Sequence, residues 1–90
     1  MVCVKQLTIS NKKGLHARAA SLFVKEAEKY SCEIWVEKDA QRVSAHSIMG
    51  LMMLAASKDT QIKIVADGKD ANQAILGLSD LVEHKFFEEE

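Results

Sequence analysis

Two hydrophobic periodicities alternate along the chain, and their order limits the possible folds more than any other feature. Alternation of apolar and polar residues is typical of a strand with one buried face. Recurrence of apolar residues at i, i+3, i+4 and i+7 is typical of an amphipathic helix. Strands are predicted over residues 2–9, 31–37, 42–44 and 60–66, and helices over residues 17–30, 48–55 and 71–85. The order βαββαβα predicts an α+β fold, with one antiparallel or mixed sheet that has helices on one face and solvent on the other.

The two longer helices each carry one apolar stripe, which predicts the face that packs on the sheet. In the first helix the stripe is Ala20, Phe23, Val24 and Ala27. In the last helix it is Ala71, Ala74, Ile75, Leu78, Leu81, Val82 and Phe86. The acidic tail after Phe87 is interpreted as a solvated chain end. Trp35 lies on the polar face of its strand, and we expect it to pack against a neighbouring strand.

Length and composition bound the possible functions. Ninety residues allow one domain, 1–90, with a modest core that needs no disulfide or metal. The net charge of −1 gives no reason to expect binding to nucleic acid. The longest apolar run, 48–56, is too short to cross a bilayer, and the N-terminus lacks a signal-peptide pattern. Cys3 and Cys32 are interpreted as small hydrophobic residues in strands, which favours a reducing, cytoplasmic compartment.

The segment 11–20 carries the strongest chemical signal. It predicts a turn, then His16, then the first turn of a helix, where unpaired N–H groups and the helix dipole favour an anion. Two interpretations remain open from the residues alone. His16 is either an ordinary loop residue or a nucleophile whose neutral imidazole attacks phosphorus. In the second case, the N–H groups of Ala17, Arg18 and Ala19 and the Arg18 guanidinium would hold the phosphoryl oxygens.

Other site chemistries are not supported by the sequence. No pair of histidine, cysteine or carboxylate residues has a familiar metal-ligand spacing, and a site made from His16 and His46 is disfavoured. The chain has no G-x-S-x-G motif and no phosphate-binding G-x-x-x-x-G-K-[ST] loop. A chain of this size is not expected to form a deep substrate pocket. We therefore expect no metal and no cofactor.

The short helix at 48–55 is apolar nearly all round. Ser47 precedes it and is a preferred N-cap residue. The residues predicted to point inward are Leu51, Leu54 and Ala55, which leaves Ile48, Met49, Met52 and Met53 exposed. Adjacent exposed Met and Ile side chains suggest an adaptable docking patch for another protein. A core helix covered by a loop would show the same pattern, and the sequence leaves both interpretations open.

Two motifs in the chain resemble the signatures of the HPr family, the histidine-containing phosphocarrier proteins of the bacterial phosphotransferase system. The motifs are Gly14-Leu15-His16-Ala17-Arg18 and Ser47-Ile48-Met49-Gly50-Leu51-Met52. The similarity spans nearly the whole chain, including the turn at 66–70 before the last helix. The resemblance implies an open-faced β-sandwich, in which a four-stranded antiparallel sheet has three helices on one face.

The resemblance also implies a role for each motif residue. His16 would accept a phosphoryl group from phosphorylated Enzyme I on Nδ1, the pros nitrogen, and pass it to an EIIA-type acceptor, with Arg18 as the phosphate partner. Ser47 matches the serine that HPr kinase/phosphorylase modifies in some bacteria. The implied docking residues are Ile48, Met49 and Met52. The chain would then be a cytoplasmic, monomeric carrier in sugar uptake or its regulation, rather than an enzyme.

The sequence departs from the common family pattern at two positions. Ala19 stands where a proline usually follows the arginine, and His46 stands where lysine is frequent. Alanine suits the first turn of a helix, so we expect the site to survive. The motif wording is similar to proteobacterial members, many of which serve a nitrogen-related regulatory branch. Two alternatives remain: a binding module that transfers no phosphate, and a regulatory domain that binds an anion or metabolite.

Overall fold

A computed structural model describes residues 1–89 and contains, over that range, four strands and three α-helices. Their bounds are β1 Val2–Thr8, α1 Ala17–Ala27, β2 Glu33–Lys38, β3 Gln41–Ser44, α2 Ile48–Met53, β4 Gln61–Asp67 and α3 Ala71–Glu83, followed by a 3-10 turn at Lys85–Phe87. This is the predicted βαββαβα order. Among the described residues, no helix is both long enough and apolar enough to span a membrane.

The four strands form one sheet in the order β1-β4-β2-β3, and every neighbouring pair is antiparallel. The register places Val4 of β1 opposite Val65 of β4, and Val65 in turn opposite Trp35 of β2. The last strand of the sequence therefore lies inside the sheet, between the first and the second. The predicted open-faced sandwich is confirmed, and the sheet is antiparallel throughout rather than mixed.

The core lies between the sheet and the helices. Both predicted helical stripes are buried along their whole length. The sheet contributes the alternate residues Leu7, Ile34, Val36, Ile62, Ile64 and Ala66, all nearly or fully buried. The intervening positions Gln6, Glu33 and Lys63 are exposed, as period-2 alternation requires of a sheet with one wet face.

Trp35 packs on the outer face of the sheet, as predicted. The guanidinium of Arg42 on β3 lies 4.6 Å from the centroid of the Trp35 ring. Arg42 Nε also lies 2.8 Å from the Glu37 carboxylate. A cation above an aromatic face contributes about 0.5–1 kcal/mol at an exposed position. The Trp35 side chain is half-buried as a result, although it lies on the solvent side of the sheet.

Two helix ends differ from the prediction. α1 ends at Ala27 rather than Tyr30, and the Tyr30 hydroxyl instead donates to Glu26 Oε2 at 2.7 Å. α3 ends at Glu83 rather than Lys85, because residues 85–87 all have positive φ, between 54° and 56°. Three consecutive left-handed residues cannot continue a right-handed helix. The chain therefore turns back over α1, which determines where the C-terminus lies.

The start of α2 was predicted correctly and its end was not. The Ser47 hydroxyl accepts a 2.9 Å hydrogen bond from Gly50 N, which confirms the capping role. The helix ends at Met53, and Ala55 is exposed rather than inward-facing, whereas Ala56 is buried. Ala55 has φ 52°, the left-handed conformation in which helices commonly end. Because this left-handed residue changes the direction of the chain, Ala56 rather than Ala55 points into the core.

Candidate functional site

His16 is the N-cap residue of α1, at the junction that the sequence indicated. Its backbone is extended, with φ −78° and ψ 179°, and its side chain makes no capping hydrogen bond. The preceding loop is held by Gly14, whose φ is 64°, and by the bond from Leu15 N to Ala56 O at 2.9 Å. The imidazole is therefore free of a structural role in the helix and projects from a loop fixed against the segment that follows α2.

The loop before His16 should tolerate no side chain at Gly14. A Cβ there would lie 2.3 Å from Ala56 O and 2.8 Å from Ser57 Cα, and an L-residue would also be strained at this φ. We expect Gly14→Ala to lower the free energy of unfolding by about 2 kcal/mol or more and to displace the His16 loop. Urea unfolding measures the first effect, and the NMR shifts of the His16 ring measure the second. Wild-type values for both would show that the backbone contact with Ala56 is not tight.

The first turn of α1 follows His16 directly, and its first two residues, Ala17 and Arg18, are exposed. The first main-chain bond of the helix runs from Ala20 N to His16 O, at 2.8 Å. Within residues 1–89, the N–H groups of Ala17, Arg18 and Ala19 donate to no main-chain carbonyl outside the helix. Ala19 is fully buried and the helix begins normally, so the missing proline has not altered the helix start. Of the three predicted cradle residues, Ala17 and Arg18 are exposed beside His16, whereas Ala19 is buried.

The C-terminal segment, residues 84–88, covers one side of His16. The prediction of a solvated tail is wrong for Glu88 and right for the exposed Phe87 and Glu89, and Glu90 lies outside the described residues. Phe86 is fully buried, and its carbonyl accepts hydrogen bonds from Arg18 Nη1 and Nη2, at 3.3 Å and 3.1 Å. Glu88 Oε2 contacts His16 Nε2, and only 10% of the Glu88 side chain is exposed. The tail returns to the helix start because the three left-handed residues reverse the chain direction.

Asn11 is a second site residue that the sequence did not reveal. It is fully buried, and its Nδ2 donates to Gly14 O at 2.9 Å and to Glu88 Oε1 at 3.1 Å. Its Oδ1 is buried without a hydrogen-bond partner among the described residues. The sequence indicated only that Asn11 suits a turn. Its contact with a carboxylate 77 positions away depends on the path of the C-terminal segment.

The surroundings of Glu88 keep it ionised. Burial raises the pKa of the Glu88 carboxyl, but the hydrogen bonds from His16 and Asn11 and the nearby charges of His16 and Arg18 outweigh that effect. The net result is a pKa below the ordinary value of 4.5. The His16 ring therefore faces a carboxylate, an anion that can accept hydrogen bonds and cannot donate them.

Acid should weaken the fold through Glu88. A carboxyl whose pKa is lower in the folded chain than in the unfolded chain stabilises the fold at pH values above its unfolded-state pKa. That stabilisation is lost as the pH falls through its folded-state pKa. We expect Glu88→Gln to be less stable than wild type by about 1 kcal/mol at neutral pH, with the difference disappearing in acid, below the ordinary carboxyl pKa of 4.5. Urea unfolding of both proteins across this range measures the difference. A constant difference at every pH would contradict a lowered pKa of Glu88.

His16 opens onto a basic cleft of about 760 Å³. Its lining residues are Lys12, Lys13, His16, Ala17, Arg18, Glu88 and Glu89. His46 is not among them and lies in a separate groove beside Trp35. Within residues 1–89 no group of three His, Cys, Asp or Glu side chains is placed to hold a metal ion. The cleft combines an imidazole and a helix N-terminus with three basic side chains and two carboxylates, so its lining is basic on balance and suits a small anion.

The predicted docking residues lie on an exposed face of α2. Ile48 is 40% exposed, Met49 70% and Met52 39%, and Met53 is also exposed. Only Leu51 of this helix is buried, so the exposed-patch interpretation is favoured over the core-helix interpretation. A shallow groove lined by Leu15, His16 and residues 55–57 connects the segment after α2 with the imidazole. The apolar patch and the cleft are thus on neighbouring parts of the surface.

Comparison with known proteins agrees with this geometry. Residues 3–84 match the family model described as the PTS HPr component phosphorylation site. The chain is 46% identical over 86 residues to phosphocarrier protein HPr of Neisseria meningitidis serogroup B, which covers 96% of this chain and 97% of that protein. A crystal structure of HPr from Thermoanaerobacter tengcongensis superimposes with a TM-score of 0.93 at 50% identity, over 98% of this chain and 99% of that one. Crh of Bacillus subtilis, solved as a domain-swapped dimer, gives a TM-score of 0.75 at 40% identity, over 90% and 93% of the two chains.

Proposed function

The chain belongs to the HPr family of the phosphotransferase system, and we propose that it carries a phosphoryl group on His16 Nδ1 from phosphorylated Enzyme I to an EIIA-type acceptor. It is a carrier rather than a catalyst, since the chain is itself phosphorylated in the first transfer and dephosphorylated in the second. The observation that carries this proposal is the placement of His16, with no capping bond, at the helix start inside a basic cleft. The proposal treats residues 1–90 as one HPr-like domain, acting as a cytoplasmic monomer.

The helix start and Arg18 would hold the phosphoryl oxygens. The N–H groups of Ala17 and Arg18, which line the cleft, would donate to these oxygens, and the helix dipole adds a favourable charge there. Ala19 is fully buried and would contribute to the helix start rather than to a direct contact. A guanidinium has five N–H donors, and the Phe86 carbonyl engages Nη1 and Nη2 only. Arg18 can therefore contact a phosphoryl group without leaving the C-terminal segment. The side chains of Lys12 and Lys13 add positive charge at the mouth of the cleft.

The exposed face of α2 would dock both partners in turn. Met side chains are flexible and polarisable, so one patch can pack against different apolar surfaces. Ile48, Met49 and Met52 form the proposed contact, because they are exposed and the groove beside His16 reaches the segment that follows this helix. Enzyme I and the EIIA-type acceptor would then bring their own phosphorylated or accepting side chains to the same imidazole.

Ser47 is the proposed regulatory position in bacteria that contain HPr kinase/phosphorylase. Its hydroxyl caps α2 and is half-buried. A phosphate at a helix N-terminus is electrostatically tolerated, so phosphorylation there would act on docking rather than on folding. The neighbouring His46 is exposed and would contribute to recognition by the kinase.

Phosphorylation by Enzyme I tests the proposed function. The wild-type protein, incubated with phosphoenolpyruvate and Enzyme I, should form an acid-labile, base-stable phosphoprotein, and ³¹P NMR should place the phosphoryl group on Nδ1. Transfer to a sugar-specific or a nitrogen-related EIIA-type protein then identifies the branch. Absence of phosphorylation would favour a binding module that uses the α2 patch alone, and tight anion binding without covalent change would favour a metabolite-binding domain.

A further inference from the structure

The C-terminal segment brings a carboxylate to the imidazole from the opposite end of the chain, and the carrier reaction described above gives it no task. Glu88 Oε2 contacts His16 Nε2, although the two residues are 72 positions apart. The Glu88 side chain is almost entirely buried in this position. We propose that Glu88 is a positioning residue, which fixes the His16 ring with the proton on Nε2 and leaves the Nδ1 lone pair free to attack phosphorus.

The direction of this hydrogen bond follows from the chemistry of the two groups. A carboxylate can only accept, so the ring nitrogen that faces it must carry the hydrogen. A neutral imidazole has one N–H, and the hydrogen bond made by one nitrogen decides the state of the other. With Nε2–H donating to Glu88, Nδ1 is the bare nitrogen. Without Glu88, solvent would determine the populations of the two His16 tautomers, and the tautomer with an unprotonated Nδ1 would be present in only part of the molecules.

Several contacts hold the Glu88 carboxylate where it is. Asn11 Nδ2 donates to its second oxygen at 3.1 Å, from a side chain that is itself fully buried. Two residues earlier, the buried ring of Phe86 fixes the backbone, and the Phe86 carbonyl is bonded by Arg18. Glu88 is thus fixed through both its side chain and its backbone. Asn11 and Arg18 are part of this arrangement, since each binds the segment that presents the carboxylate.

The contact between Glu88 and His16 assists both phosphoryl transfer to His16 and phosphoryl transfer from His16. When the Nδ1 lone pair forms the N–P bond, the bond from phosphorus to the donor's leaving group breaks, and that group takes the electron pair. The ring then carries a positive charge and keeps its proton on Nε2, where the Glu88 carboxylate stabilises it. When the acceptor attacks phosphorus, the N–P electron pair returns to Nδ1 and the ring is neutral again. No proton has to move in either step.

The inference rests on the proposed function for the phosphoryl transfer, but the tautomer can be measured without it. Two-bond ¹H–¹⁵N NMR spectra of the wild-type protein near pH 8 should show His16 with hydrogen on Nε2 and a bare Nδ1. Glu88→Ala should show a mixture of the two tautomers. Glu88→Gln has one acceptor oxygen for the two donors Asn11 Nδ2 and His16 Nε2, so its tautomer mixture should lie between those of the wild type and Glu88→Ala. The matched control is Glu83→Gln, which removes the same charge from an exposed residue at the end of α3 that does not line the cleft, and it should change nothing.

Kinetics with Enzyme I and phosphoenolpyruvate then test the effect on transfer. We expect the phosphorylation rate to fall about tenfold in Glu88→Ala, and by a smaller factor in Glu88→Gln. Wild-type tautomers in Glu88→Ala, or an equal change in Glu83→Gln, would overturn the assignment of Glu88. If the wild-type protein has the fixed tautomer but accepts no phosphoryl group, the proposed function fails while the positioning contact stands.

Discussion

Replacing His16 with alanine is expected to remove all phosphorylation by Enzyme I. Alanine has no nucleophile, and the neighbouring Glu88 carboxylate is held by Asn11. The fold should survive, because His16 makes no capping bond and its side chain is partly exposed. We expect the free energy of unfolding to change by no more than about 1 kcal/mol. Phosphoprotein formation and urea unfolding, measured on the same preparation, separate the two effects.

The other two histidines supply matched controls for this loss. His46 lies in a separate groove, and His84 bonds Asp80 within its own helix turn and stacks on Phe87. His46→Ala and His84→Ala should therefore accept phosphate from Enzyme I at rates close to wild type. Phosphorylation that persists in His16→Ala, or that disappears in His84→Ala, would mean that His16 is not the acceptor.

The parts of the fold that depend on local pattern could be predicted from the sequence. The stripe in α3 ran from Ala71 to Phe86, and every one of its residues is buried. The Ser47 cap was predictable, since a side-chain oxygen and a backbone N–H three residues on need no tertiary help. Position at a helix start likewise identified His16, although the residues alone left open whether it is a nucleophile. In each case the informative pattern involves residues that are close together in the sequence.

The missed features all depend on left-handed residues and contacts distant in sequence. Ala55 was predicted to be buried, but its positive φ turns the chain so that Ala56 takes the inward position. The helical pattern of α3 gave no sign that Lys85 to Phe87 would adopt the left-handed conformation, which is rare for residues other than glycine. That reversal alone carries Glu88 to His16. Glu88 and Asn11 could not be recognised as site residues until the path of the tail was known.

Replacing Phe86 with alanine is expected to destabilise the fold and disturb the site together. The ring is fully buried in the core, so truncation should lower the free energy of unfolding by about 3 kcal/mol. For a domain of this size that is a large part of the total stability. The backbone at Phe86 also holds Arg18, and a loosened segment should release Glu88 from His16. Urea unfolding measures the first effect, and the ¹⁵N spectrum of the His16 ring measures the second.

Phe87→Ala is the matched control, because it removes the same ring one position further on. Phe87 is 64% exposed and touches only the ring of His84 within the described aromatic contacts, so its loss should change the stability by less than about 0.5 kcal/mol. A similar loss in both variants would mean that the segment contributes through general apolar cover rather than through the buried Phe86 ring. A loss in Phe86→Ala alone, with mixed His16 tautomers, would show that one core side chain fixes both the C-terminal turn and the carboxylate beside the imidazole. The hydrophobic core and the phosphoryl site would then be connected through two residues of backbone, from Phe86 to Glu88.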